Sequence, residues 1–357
     1  MHERYSIRII HFGLGPVFDG KFLAHPYLNS AQDAVFYFST GQAGYKHDKR
    51  ALFMLVRQYL KAIRLLACSI GVKNRSTIAY CHTTKFALPS LLICRLFGVG
   101  HVIYFNHGVP YIAYSGWRRQ LLYAIEMLNV WVAKKVFTVS PGMVPYLIPN
   151  GLANRYDVSV KPGSSSGLPD RFFLERDRLK YKTEQSLSSP SVNYLYAGRL
   201  QERKGVFLLL EAWQKHTVNH PSDRLFLCGF SKEDLLEVVP DKVLSSVEVC
   251  GYLPEIRELL DQSDVVVSPS FHEGFGYTLL EGAARGCCIV SSNVPGPDVM
   301  FSPWMKHYLF QSGSVDGLGN LLDALSADRR LLSKGMLLAY RSSLRFSESN
   351  LVYPRPY

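Results

Sequence analysis

The feature that most constrains this 357-residue chain is a repeated alternation. Short β-branched or aromatic runs give way to helix-length segments through the first half, and the pattern restarts at Val192. In the first half strands are expected over residues 6–12, 34–39, 77–82, 101–106, 135–140 and 157–161, with helices over 48–69, 86–97 and 117–133. In the second half strands are expected over 192–196, 224–228, 247–250, 264–268, 288–292 and 307–309, with helices over 205–216, 232–238, 255–262, 276–285 and 316–325. Strand and helix in alternation imply right-handed crossovers and parallel sheets. The expected class is α/β, with two Rossmann-like domains.

Residues 161–191 are rich in Ser, Gly, Pro and charge and serve as the expected linker. The domains are drawn at 1–165 and 166–335, with 336–357 a tail that returns toward the first domain. The length suits two cores of ordinary size. The seven cysteines are scattered without metal-ligand spacing, which fits free buried thiols in a reducing compartment. The N-terminus has no secretory pattern, and residues 86–105 are interrupted by Pro89, Arg95, Gly98 and Gly100, so no membrane span is expected.

Charge is unevenly placed. Residues 1–170 carry 19 Lys and Arg against 7 Asp and Glu, and the rest of the chain carries 21 against 22. A one-sided field of this kind favours a polyanionic partner. Arg57, Lys61 and Arg64 share one face of a predicted helix that begins near Lys49 and Arg50, with Leu52, Leu55, Val56, Leu60 and Ile63 expected to pack on the sheet. Arg118 and Arg119 sit beside Trp117 and Tyr114 as a second basic and aromatic cluster. Cations among apolar rings suit an anionic membrane surface. No nucleic-acid motif accompanies the charge, and nucleic acid is not an expected partner.

Open α/β sheets bind ligands beyond the carboxyl ends of their strands. Two segments there carry chemistry. Residues 268–281 read SPSFHEGFGYTLLE: a strand ends, Glu273, Gly274, Phe275 and Gly276 form a loop, and a helix carries Glu281. Glycines let backbone amides approach a ligand, a helix start favours anions, and carboxylates accept pairs of sugar hydroxyls. Residues 197–205 read AGRLQERKG between a strand and an apolar helix, placing Arg199 and Lys204 to hold a diphosphate, with Arg203 facing solvent. Taken singly, each segment also fits a solvated loop or a basic helix start.

Together, Arg199 and Lys204 followed by Glu273-Gly-Phe-Gly and Glu281 resemble the retaining glycosyltransferases of family 4, which have the GT-B fold. Residues 264–270 and 283–290 are similar to further segments of that family, and residues 105–108 and 135–142 to its bacterial capsule, O-antigen and exopolysaccharide branch. The resemblance implies two domains facing a cleft. It implies that Arg199 and Lys204 hold the nucleotide diphosphate, Glu281 the ribose, and Glu273 with the amides of Gly274, Phe275 and Gly276 the donor sugar. His107 matches the family's histidine near the reacting sugar, and Gly13 and Gly15 its first glycine loop.

The donor so implied is a nucleotide sugar, chiefly a UDP-sugar, used as substrate, with no cofactor and no metal. The acceptor is lipid-linked or a growing oligosaccharide, and the chain works in the cytoplasm on the inner face of the cell membrane. Three departures are evident: a single Gly-Leu-Gly at 13–15, Ser166 where the family usually has Asn, and Cys288 where proline is common. The alternatives are a UDP-sugar epimerase and a non-catalytic binding protein built on the same fold.

Overall fold

The computed structural model describes residues 8–14, 34–38, 49–68, 77–133, 135–148, 157–160, 167–239 and 245–350. The chain divides into two compact units, Met1–Ser166 and Gly167–Tyr357. Each holds one six-stranded sheet whose strands pair in parallel.

In the first unit the order is β2-β1-β3-β4-β5-β6, from β1 (Arg8–Leu14), β2 (Ala34–Phe38), β3 (Thr77–His82), β4 (His101–Asn106), β5 (Lys135–Thr138) and β6 (Asp157–Val160). The helices Lys49–Ala67, Thr84–Leu96 and Gly116–Ala133 connect β2 to β3, β3 to β4 and β4 to β5. All three connections step across the sheet in one direction, so right-handed crossovers put these helices on one face. They are tied side by side. Tyr59 and Ser90 share a 3.3 Å hydroxyl contact, and the Arg95 guanidinium donates to the carbonyls of Val132 and Ala133 at 3.1 and 2.8 Å.

Two expectations fail here. The helix Lys49–Ala67 turns Ala62 and Leu66 inward, whereas Val56 and Leu60 are about half exposed. They do not pack on the sheet, because they lie to one side of the inward row and continue the exposed face of Arg57, Lys61 and Arg64. The first strand runs to Leu14, so Gly13 is paired opposite Tyr37 inside β1 and not in the loop beyond it.

The second sheet has the order β12-β11-β10-β7-β8-β9, from β7 (Asn193–Ala197), β8 (Arg224–Cys228), β9 (Glu248–Gly251), β10 (Val265–Ser268), β11 (Cys288–Ser292) and β12 (Leu309–Phe310). From β7 the chain first builds outward through β8 and β9, then returns to the other side of β7 as β10. The order therefore reverses between β7 and β10, and that reversal opens a crevice at their carboxyl ends.

The expected linker is largely structure. Residues Arg176–Ser188 form a helix, missed because it has little apolar periodicity. Lys182 anchors it: the ammonium donates to the carbonyls of Leu260 and Arg285 at 2.8 and 2.9 Å. The C-terminal segment as far as residue 350 packs within the second domain. The helix Arg329–Ser343 buries Leu332, Met336 and Ala339 within the second domain, Leu168 bridges to Ser347, and Phe346 packs on Phe275. Residues 351–357 lie outside the described residues.

A buried polar cluster ties the far ends of two helices in this domain. The ring nitrogens of His216 meet Asp223 Oδ2 at 3.0 Å and Asp323 Oδ1 at 2.5 Å, and Asp223 also accepts from the Val192 amide at 2.7 Å. Removing the ring leaves a buried carboxylate short of a partner, which costs about 3 kcal/mol. His216→Ala is expected to lower the denaturation free energy of the second domain by that order, read from denaturant unfolding.

Candidate functional site

The reversal between β7 and β10 brings the two motif loops together. Beyond β7 the chain turns through Gly198 and Arg199 into a short 3-10 turn, Glu202–Lys204, and then the helix Val206–Asn219. Gly205 joins turn to helix in the left-handed region, φ 71°, and a Cβ there would lie 1.9 Å from the Pro269 carbonyl oxygen. Only glycine fits that contact, which locks the Lys204 turn against the loop after β10. The Phe271 amide donates to the Arg203 carbonyl at 2.9 Å and closes the same junction.

Across it, Lys204 Nζ meets Glu273 Oε2 at 2.6 Å, with both side chains mostly buried. Glu273 Oε2 also accepts from Ser270 Oγ at 3.2 Å, and Oε1 from the Gly274 amide at 3.2 Å. Burial pushes this carboxyl up, but the Lys204 ammonium, its hydrogen bond and the Gly274 amide outweigh it and hold the carboxyl below its ordinary pKa. The carboxylate is thus ionised near neutrality. Lys204 keeps N–H donors beyond the one given to Glu273, and Oε1 keeps acceptor capacity beyond one amide. An anionic ligand and a hydroxyl-bearing one can therefore be held side by side.

Arg199 is exposed on the rim, its pKa lowered by partial burial and by the charge of Arg203. Arg203 is only partly exposed, contrary to expectation, because its Nε donates to Gln201 at 3.1 Å and its carbonyl holds Phe271. Gly276 caps the helix Tyr277–Ala284 with φ 86°, and Glu281 lies partly exposed one turn inside. Phe275 is 3% exposed and packs on Phe346 and Tyr277, so its ring serves the core and its backbone alone can face a ligand. A Cβ at Gly296 would fall 2.4 Å from the Gly274 carbonyl oxygen, so this glycine seats the loop from beneath.

Four further residues belong to this site and were not singled out from sequence. The Tyr196 hydroxyl donates to the Arg199 carbonyl at 3.0 Å, and Thr278 Oγ1 to the Ala197 carbonyl at 3.3 Å. Ser270 supports Glu273 as above. His272 is held neutral, its pKa lowered to about 4 chiefly by burial, and its buried Nε2 has no partner. The only hint of Ser270 and His272 in the sequence was their place inside the motif loop.

His107 lies in the first domain, in the turn after β4. Its Nε2 is 2.8 Å from Nδ1 of His82, which ends β3, and its ring stacks on Phe105. Burial lowers its pKa to about 4, so the imidazole is neutral at pH 7. Asn106 spans the turn, donating to the Gly108 carbonyl at 2.9 Å and accepting from the Gly108 amide at 3.1 Å. Beneath it, Glu126 Oε1 accepts from Asn106 at 2.8 Å and from the Tyr104 hydroxyl at 2.7 Å. Thr83, between His82 and the next helix, has φ 66°, the strained backbone of a loop held by its surroundings. Gly15 lies outside the described residues, as do Lys161 and Ser166.

Among the described residues one group of possible metal ligands converges, His216, His220 and Asp323, with ligand atoms within 4.8 Å of one another. It sits about three turns along the helix from Gly205, away from Lys204.

Residues 177–335 match the model of the family Glycosyl transferases group 1. The chain is 27% identical over 235 residues to glycogen synthase of Mycobacterium tuberculosis, covering 62% of this chain and 53% of that protein. The chain thus spans about half the length of that relative. It is 21% identical over 292 residues to the capsular polysaccharide biosynthesis glycosyltransferase CapM of Staphylococcus aureus, covering 79% and 74%. HepE of Anabaena, solved in complex with UDP and glucose, superposes with a TM-score of 0.69 at 16% identity, covering 97% of both chains. The fold is GT-B.

Burial pushes Glu126 up to about 7, against the opposing hydrogen bonds of Tyr104, Thr84 and Asn106. A carboxyl unfolds to an ordinary pKa near 4.3, so between that value and about 7 the folded domain holds one proton more and its stability falls as pH rises. The loss amounts to about 4 kcal/mol across the window. Glu126→Gln keeps the acceptor for Tyr104 and Asn106 and is expected to remove this slope, read as denaturation midpoints from pH 4 to 8.

Proposed function

We propose that this chain, whose residues 177–335 match Glycosyl transferases group 1, moves a sugar from a nucleotide-diphosphate donor to an acceptor with retention of anomeric configuration. The observation that carries the reading is the Lys204–Glu273 pair at 2.6 Å, set at the reversal of a parallel sheet beside Arg199. Cleaving a glycosidic bond to a diphosphate develops negative charge on the leaving phosphate. Lys204 and Arg199 stabilise that charge, while Glu273, kept ionised by Lys204, accepts hydroxyls of the sugar. Glu281 takes the ribose and the amides of Gly274 and Gly276 assist.

Within this proposal the donor is a UDP-sugar, a choice supported by the likeness in fold to a protein solved with UDP and glucose. In this scheme Glu273 binds the sugar and does not attack it, and the acceptor hydroxyl attacks on the face the diphosphate leaves. The departing phosphate takes the hydroxyl proton, and no metal is needed because two cations already face the diphosphate. Neutral His107, carried over from the family resemblance, is assigned to the sugar-transfer step in this scheme. The acceptor is lipid-linked or a growing polysaccharide, a class supported by the similarity to the capsular enzyme. The chain then works from the cytoplasm, attached at the periphery of the inner membrane face.

A thermal-shift panel of UDP-, GDP- and ADP-sugars tests donor binding, since a ligand of the folded state raises apparent stability. The UDP-sugar is expected to give the largest rise, and no rise with any donor overturns the proposal. Lys204→Ala is expected to cut turnover roughly a hundredfold or more. Full activity in that variant removes Lys204 from the mechanism. Donor incubated without acceptor is expected to yield slow hydrolysis, and a new epimer instead identifies an epimerase.

A further inference from the structure

The outer side of the helix Gly116–Ala133 has an unusual make-up. Its buried residues, Leu122, Glu126, Asn129, Val130 and Ala133, form one face. Diametrically opposite, at spacings of four and three, run Trp117, Leu121, Ala124, Leu128 and Trp131, all exposed, with the two indoles 68% and 65% accessible. The stripe is about 21 Å long. On the adjoining helix Thr84–Leu96, Leu92 and Leu96 are exposed one turn apart, and on Lys49–Ala67 so are Val56 and Leu60. A soluble face normally scatters its apolar residues singly, and an aligned row across neighbouring helices marks an interaction surface.

Its charge is one-sided. Arg57, Lys61, Arg64, Arg95, Arg118 and Arg119 are all exposed on these three helices. The sole acidic residue in them is Glu126, which is fully buried. Arg118 lies 5.6 Å over the Trp117 ring, a cation sharing its place with an indole.

We propose that this three-helix face of the first domain lies flat on an anionic lipid surface, with Trp117, Leu121, Leu128 and Trp131 inserted to the depth of the headgroups and Arg57, Lys61, Arg64 and Arg118 on lipid phosphates. This deepens the membrane attachment in the function proposed above and rests on it for the compartment alone. Two observations choose lipid over other occupants. A second copy docked face to face would set these cations against their like with no exposed acid between them, a repulsion nothing offsets. A nucleic acid would satisfy the arginines but leave the apolar stripe in water, whereas the boundary of headgroup and acyl chain receives both. Among the described residues no helix is long and apolar enough to cross a membrane, so the geometry is in-plane contact.

The test uses the full chain with vesicles rich in phosphatidylglycerol and with vesicles of pure phosphatidylcholine. Co-sedimentation is expected with the first and to weaken with salt. Replacing Trp117, Leu121 and Trp131 together by Ser is expected to reduce partitioning by roughly tenfold or more while circular dichroism and the thermal shift with UDP-glucose stay unchanged. Arg57→Gln with Arg64→Gln is expected to lose roughly tenfold on the anionic vesicles only. Bromine-labelled lipid is expected to quench tryptophan emission, and the quenching is expected to disappear in Trp117→Phe/Trp131→Phe, which retains the exposed Trp304 as an internal control.

Vesicle binding undiminished in the triple variant overturns the proposal, as does quenching that survives in the double one. So does a lipid-independent dimer that the triple variant abolishes, which would make the face a protein interface. A chain that gives a donor shift yet ignores vesicles sinks the docking face and leaves the transferase reading intact. Vesicle binding through this face with no donor shift does the reverse.

Discussion

The second domain is organised around an ion pair placed where its sheet reverses direction. Lys204 and Glu273 come from loops 69 residues apart, after β7 and β10. Their 2.6 Å contact requires those strands to be neighbours and the loops to be seated without slack. Backbone contacts supply the seating. Gly205 lies against the Pro269 carbonyl and Gly296 against the carbonyls of Glu273 and Gly274, each closer than any side chain permits. The amide of Phe271 is fixed to Arg203. The acid and base are therefore positioned by main chain, which moves little, and not by long flexible side chains alone.

Both domains contain buried acids, and their contrasting behaviour follows from their partners. Glu126 has neutral donors only, Tyr104 and Asn106, so burial prevails and the carboxyl rises to about 7. Glu273 faces the same penalty but has an ammonium in contact, and its carboxyl is held low. Asp223 sits with His216, Ser326 and the Val192 amide and is also held low, burial notwithstanding. The partners thus decide whether a buried carboxyl is raised by burial, as at Glu126, or held low by an ammonium or by several hydrogen-bond donors, as at Glu273 and Asp223. The first kind braces the turn that carries His107. The second kind keeps Glu273 ionised against Lys204.

Much of this was legible from sequence because many of the strands are largely buried and read as apolar runs. Thr77–His82, His101–Asn106, Arg224–Cys228 and Cys288–Ser292 fall where the pattern sets them. The motif residues Arg199, Lys204, Glu273 and Glu281 carry their chemistry in residue type and spacing, so they too were visible. What escaped depended on tertiary partners. The helix Arg176–Ser188 is held by Lys182 reaching two carbonyls, a bond no periodicity reveals. The packing of residues 336–350 within the second domain was not legible either, because helix-length sequence states that a surface is apolar, not where it packs. Val56 and Leu60 failed for a related reason: several faces of that helix are apolar, and only the inward fit of Ala62 and Leu66 selects among them. His82, which meets His107 at 2.8 Å, is 25 residues away and carries no local signal.

The basic first half of the chain acquires a physical meaning from this geometry. An excess of cations spread evenly over a domain would mainly keep it soluble and steer anions weakly. Here three crossovers of the same hand gather the cations of three helices on one side of one sheet, and the same rule gathers the exposed Leu and Trp rows with them. The handedness that fixes the fold therefore also concentrates the charge. Apolar residues exposed among arginines gain nothing in water, since each keeps apolar area hydrated that burial would release. The lipid surface proposed above would offer them a boundary where phosphate meets hydrocarbon.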